Sequence, residues 1–129
     1  MGDVPEEAAA LLEGETVVAH LATCRDGRPH VAPVWYRYLD GTVEIVTTGQ
    51  KLANVRRNPR VALSVEYSHG GDARWMVAIR GTATVVEDDD AFQTAHRAIN
   101  EKYGAEPDAW SENTLVRIDV DSVTYSTDD

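Results

Sequence analysis

Apolar and polar residues alternate along most of this chain, and the alternation is interrupted by short glycine-containing turns. The clearest stretch is Arg60 to Tyr67, where Val61, Leu63 and Val65 fall on one side and Ala62, Ser64 and Glu66 on the other. A period of two is that of a β-strand, whose successive side chains point to opposite faces. Runs of similar character cover Thr16 to Thr23, Pro29 to Tyr38, Thr42 to Thr48, Arg74 to Val86 and Thr114 to Tyr125. In the last run Leu115, Arg117, Asp119 and Asp121 oppose Val116, Ile118 and Val120. Asp26-Gly27 separates the first two runs and Asp40-Gly41 the next two. An Asp-Gly pair accepts the positive φ that a tight hairpin turn requires, so the first three strands form a meander. Ser68 to Asp72 reads as a further turn, and Gly81 inside the long run predicts a bend or bulge.

Three segments carry a helical signature instead. Pro5-Glu6-Glu7 opens the first, which runs through Ala8 to Leu12 and stops at Gly14. Proline is harmless at a helix start, and the acidic pair complements the dipole there. Gln50 to Arg57 places Leu52 and Val55 three apart, and Asn58-Pro59 ends it. Asp88-Asp89-Asp90 caps a longer helix to Tyr103, with Phe92, Ala95 and Ile99 on one face and Gly104 as its terminator. The expectation is a single mainly β (α+β) domain over residues 1–129. Six antiparallel strands with hairpin links suggest a closed or half-closed β-barrel, with a short N-terminal helix, a short helix after the third strand and a longer one before the sixth.

Composition narrows the classes of function. A chain of 129 residues with 43% hydrophobic content builds one core and shows no repeat or linker. Its apolar runs are of strand length, far short of the roughly 20 residues a membrane span needs, and no basic start leads into an apolar leader. The lone cysteine, Cys24, excludes an intrachain disulfide and makes a reducing cytoplasm the default. Twelve Lys and Arg face 22 Asp and Glu, a net charge of −10. Such a chain repels a polyanion, so nucleic acid is not an expected partner and only a small local basic site has room. Lysine occurs only at Lys51 and Lys102, with arginine supplying the rest. An acidic, lysine-poor surface suits a high-salt cytoplasm, and a GC-rich genome explains it equally.

Candidate chemistry is found mainly by elimination. His20, His30, His69 and His96 are scattered singly, so no metal site is expected. No Gly-x-Ser-x-Gly elbow or Gly-x-Gly-x-x-Gly loop is present, and Cys24 has no neighbour that marks it as a nucleophile. It reads as a small buried residue at a strand end. The informative segment is Val46-Thr47-Thr48-Gly49-Gln50-Lys51, where two hydroxyls and a glycine end a strand and open a helix. A helix N-terminus exposes unpaired N–H groups and favours an anion. Lys51 stands in the first turn, where the dipole disfavours a cation unless a bound anion offsets it. A phosphate satisfies that arrangement; an ordinary Thr48 cap with Lys51, Arg56 and Arg57 in solvent is the plainer alternative. In Pro29 to Tyr38, Pro33 cannot donate to a ladder and marks an edge or bulge. Trp35 and Tyr36 point to opposite faces, so one of them faces away from the interior. A flat heteroaromatic ring would pack there, and a dimer interface or plain core packing explains the aromatics equally.

The order Asp-Gly-Arg-Pro-His-Val-Ala-Pro-Val-Trp-Tyr, a strand ending Thr-Thr, then Lys-x-x-Asn-Val-x-x-Asn-Pro-x-Val, resembles the pyridoxamine 5′-phosphate oxidase-like flavin-binding superfamily. Ile79 to Val86 resembles that family's strand before its last helix, and the likeness extends from Thr16 to Tyr125. The resemblance implies a split-barrel homodimer holding FMN in clefts between subunits, or the deazaflavin coenzyme used by some relatives. It places Lys51, with Thr47, Thr48, Gln50 and Asn54, at the cofactor phosphate, and His30, Pro33, Val34 and Trp35 along the ring. Trp75 closes the cleft from the partner, and Tyr36 or His30 donates to the ring. The implied activity is hydride or electron transfer to a small substrate, with no acid or base nominated. A carrier or redox-sensing module without turnover, and a cofactor-free barrel, are the other classes. Ala32 stands where the true oxidases open this strand with arginine, and their C-terminal extension has no counterpart after Tyr125, so pyridoxamine phosphate is not the expected substrate.

Overall fold

The structure is a computed structural model that describes residues 3–127. Its elements run α1 (Glu6–Gly14), β1 (Ala19–Arg25), β2 (Arg28–Val34), β3 (Arg37–Leu39), β4 (Thr42–Thr47), α2 (Gly49–Arg57), β5 (Arg60–His69), β6 (Asp72–Val86), α3 (Asp89–Lys102) and β7 (Thr114–Thr127). The strands form one antiparallel sheet of seven, in the order β2-β1-β5-β6-β7-β4-β3. The class agrees with the sequence, and the strand count is seven rather than six. The run from Pro29 to Tyr38 is two strands, because β2 and β3 lie at opposite edges of the sheet and the chain crosses between them at Trp35-Tyr36. No ladder joins β2 to β3, so the sheet is not closed by hydrogen bonds.

The Asp-Gly turns form as expected. Asp26 and Gly27 have φ of 51° and 76°, and Asp40 and Gly41 of 47° and 83°. The β6–β7 register shifts between Arg80 and Gly81, leaving Asp121 of β7 without a partner. Gly81 is required there: a Cβ would stand 2.6 Å from Ile118 Cγ2 and 2.7 Å from the Asp119 carbonyl oxygen. Inward-facing Leu21, Leu63, Val65, Val77, Ile118 and Val120 make the core.

Tyr36 points inward and is fully buried, and its hydroxyl donates to the Leu12 carbonyl at 2.7 Å, which fastens α1 against the sheet. The backbone of the crossing residue is satisfied by the end of α3. Its N–H donates to the Tyr103 hydroxyl at 3.3 Å, and its carbonyl accepts from Lys102 Nζ at 2.9 Å. At the far edge the buried Glu44 carboxylate accepts from Arg37 Nε and Arg117 Nε, both at 2.8 Å, across the row Arg37–Glu44–Arg117 of three adjacent strands. A carboxylate this buried is tolerable only because both oxygens are taken by guanidinium groups. Among the described residues no helix is long and apolar enough to cross a membrane.

Replacing Gly81 by Ala forces a methyl group against backbone at the bulge. The expected loss is about 1–3 kcal/mol of unfolding free energy, the range for overpacking an interior, read from the urea midpoint. A midpoint equal to that of the parent protein would show that β7 yields without cost.

Candidate functional site

The residues singled out by the sequence collect along the free edge of β2, where the first turn of α2 faces it. One cleft, of about 540 Å³, is lined by Pro33, Val34 and Trp35 of β2 and its crossing, by Thr47, Thr48 and Lys51 at the start of α2, and by residues of α3 and the 103–113 segment. A second, of about 530 Å³, is lined by Arg25, Asp26, Arg28, Pro29 and His30 of the β1–β2 hairpin and by Gln50 and Asn54 of α2. Nine of the ten candidates therefore line one cleft or the other. Trp75 lines neither. Strand alternation turns it inward with Val77 and Ile79, and its ring lies 6.5 Å from that of Tyr67.

The helix opening is chemically distinctive. Thr48 occupies the N-cap position of α2 with extended backbone but makes no side-chain cap hydrogen bond. The first-turn N–H groups thus lack the acceptor such a residue normally provides. Lys51 has no ion pair among the described residues, whereas Arg56 and Arg57 pair with Glu87 and Asp26 at 3.3 and 3.1 Å. Asn54 is buried and structural: its amide donates to Thr23 Oγ1 at 2.9 Å and its oxygen accepts from Gln50 Nε2 at 2.6 Å, holding α2 on β1. Tyr36 is unavailable to a ligand because its hydroxyl is bonded to Leu12 in the interior.

The opposite wall was not legible in the sequence. Trp35 points outward, stacks on Tyr103 with centroids 4.7 Å apart and 2° between planes, and meets Trp110 edge-on at 5.2 Å. Trp110 is half exposed and held at a φ of 57°, unusual for a bulky side chain. Its segment is pinned from below by two buried polar residues of α3: His96 Nε2 donates to the Ala109 carbonyl, and Asn100 Nδ2 reaches the Pro107 and Ala109 carbonyls at 3.2 Å each. His96 and Asn100, four apart on one helix face, were the available signal, since buried polar pairs at that spacing need a partner outside the helix.

Beside this wall, Lys102 Nζ sits 3.7 Å above the Tyr36 ring. Burial lowers its pKa from 10.5 to about 8. The unfolded chain then holds a proton that the folded one has released, so stability rises between about pH 8 and pH 10 through this group. Tyr36 and Tyr103, raised by burial, act in the opposite sense above pH 10. The expected result is that Lys102→Met removes the rise in urea midpoint between pH 8 and pH 10; an undiminished rise would assign it to other groups.

Comparison with known proteins follows the same lines. The family profile described as pyridoxamine 5′-phosphate oxidase matches residues 4–127. An FAD-binding protein from Mesorhizobium loti is 26% identical, with 92% of this chain and 89% of that one covered and a TM-score of 0.76. An F420 reductase is 28% identical over 94% of this chain and 98% of that one, with a TM-score of 0.76. A conserved hypothetical protein from Mycobacterium tuberculosis is 27% identical over 96% and 85%, with a TM-score of 0.82. A search of the curated proteins finds no match.

Proposed function

The chain belongs to the pyridoxamine 5′-phosphate oxidase family, and from that premise we propose that it is a flavin-type oxidoreductase of the cytoplasm that binds FMN, or alternatively a deazaflavin coenzyme, as a homodimer. The observation that carries the reading is the start of α2, where an N-terminus without a side-chain cap and a Lys51 with no ion pair among the described residues open into a cleft walled by Trp35 and Trp110. These residues fit a phosphate at one end and a planar ring at the other. The missing side-chain cap bond at Thr48 favours an anion at this helix start over an ordinary Thr48 cap. FAD-binding and F420 reductase relatives at 26% and 28% identity support a flavin-type cofactor without choosing among them.

A bound flavin or deazaflavin ring would supply hydride or electron transfer with a small substrate. The chain's own contribution is binding and orientation. Lys51 would offset the charge of a phosphate there, and the Thr47 hydroxyl and the α2 N–H groups would donate hydrogen bonds to it. Pro33 and Val34 present edge-strand backbone, which β2 leaves unpaired on that side. Trp35 and Trp110 exclude water from the ring. Neither tryptophan carries a titratable group, and no side chain is assigned as acid or base.

The outer face of the sheet supports the dimer. Ala22, Ala62 and Ala78 make a shallow surface there beside Val31, which is 65% exposed, with His20, Ser64, Arg80, Ser122 and Thr124 among them. An exposed apolar side chain such as Val31 gains by being covered by a second copy. Free Cys24 accords with a reducing compartment.

Lys51→Ala is expected to weaken FMN or deazaflavin binding at least tenfold, measured by co-elution of cofactor absorbance in gel filtration and by titration. Unchanged retention would sink the phosphate assignment. Oxidation of reduced cofactor by the loaded protein separates an enzyme from a carrier, and a monomer in solution would count against a site between subunits.

A further inference from the structure

Trp110 stands in a backbone conformation that its side chain disfavours. Its φ of 57° lies in the left-handed region, which glycine enters freely and a bulky residue does not. A residue of this kind persists only where its surroundings over-determine it. Here both peptide planes that flank Trp110 are held. On one side the Ala109 carbonyl shares a plane with the Trp110 N–H, and it accepts from His96 Nε2 and from Asn100 Nδ2. On the other side the Trp110 carbonyl accepts from the Asn113 N–H at 3.1 Å. The last bond closes a local turn, whereas the first two reach across from α3.

The donors of α3 are fully committed to this task. The two N–H bonds of the Asn100 amide go to the Pro107 and Ala109 carbonyls, at 3.2 Å each. None is left for His96 Nε2, which faces the Ala109 oxygen and so carries its own proton. Both residues are buried, and the His96 ring stacks on Phe92 with centroids 4.8 Å apart, which fixes its direction. They line the floor of the first cleft, yet these nitrogens are spent on the segment that carries Trp110.

We propose that His96 and Asn100 are positioning residues for the cofactor ring: by capturing the Ala109 carbonyl they hold Trp110 in its left-handed conformation, edge-on to Trp35, and so keep that wall of the cleft in place. This rests on the flavin-type reading and deepens it. Without the two donors Trp110 relaxes to ordinary backbone angles and its indole leaves Trp35. Ring binding then weakens through residues that act on the wall and not on the ring.

The chain has three tryptophans, so 5-fluorotryptophan gives one fluorine resonance for each, and Trp110→Phe identifies that of Trp110. Trp75, buried beside Tyr67, lines neither cleft and reports on the fold; spectra are taken where its resonance keeps the parent position. In the cofactor-free full chain, His96→Phe keeps the stacking on Phe92 and lacks the donor. It and Asn100→Leu are each expected to move the Trp110 resonance toward that of free 5-fluorotryptophan. His96→Gln restores an N–H and is expected to leave the resonance in place. Titration with FMN and with deazaflavin coenzyme is expected to show binding weakened about fivefold or more by His96→Phe and by Asn100→Leu, with no further loss, within about twofold, when either is added to Trp110→Ala.

The inference is overturned if the Trp110 resonance keeps its place in either variant, if His96→Gln moves it as far as His96→Phe does, or if the losses multiply in the double variants. Binding of neither cofactor by the parent protein overturns the proposed function, and the resonances then decide the hold on Trp110 by themselves.

Discussion

The structure depends on one crossing. Two residues, Trp35 and Tyr36, carry the chain from one free edge of a seven-stranded sheet to the other. A link that short brings the edges together, so the sheet must curl, and the bulge at Gly81 lets β6 and β7 bend. The crossing cannot satisfy its own backbone within a ladder. Tyr103 and Lys102 do so from α3, and this fixes where that helix ends and where the 103–113 segment begins. The alternation of the two side chains then does two different jobs. Tyr36 locks α1 to the interior, while Trp35 becomes an outward wall.

Much of the frame was readable because its causes are local. Asp26-Gly27 and Asp40-Gly41 force turns by backbone preference, and the strict alternation of Val61, Leu63 and Val65 assigns β5 without knowledge of its partners. The start of α2 was readable for the same reason, since a cation in a first turn conflicts with the dipole wherever the helix sits.

What stayed hidden depends on distant partners. Trp35 and Tyr36 both favour strands, so nothing local marks the break between β2 and β3. Glu44 looked like an ordinary strand residue, yet it is buried between arginines, one of them 73 positions away. Trp75, which the resemblance sets at the partner's cleft, is buried in its own subunit on the face of Val77 and Ile79, and that face is set by pairing register. Trp110 carries no periodic signal, and its place follows from carbonyls that His96 and Asn100 capture across a loop.

The same Glu44 row bears on the order of assembly. β4 pairs with β7 across a stretch of chain that contains β5, β6 and α3, so the floor beneath Thr47 is a non-local contact with a large loop to close. Hairpins β1–β2 and β5–β6 close early, over short loops. The cleft with Lys51 is complete only when the last strand docks. A ligand of that cleft is therefore expected to slow unfolding and leave the refolding rate nearly untouched, holding the door shut without helping to hang it.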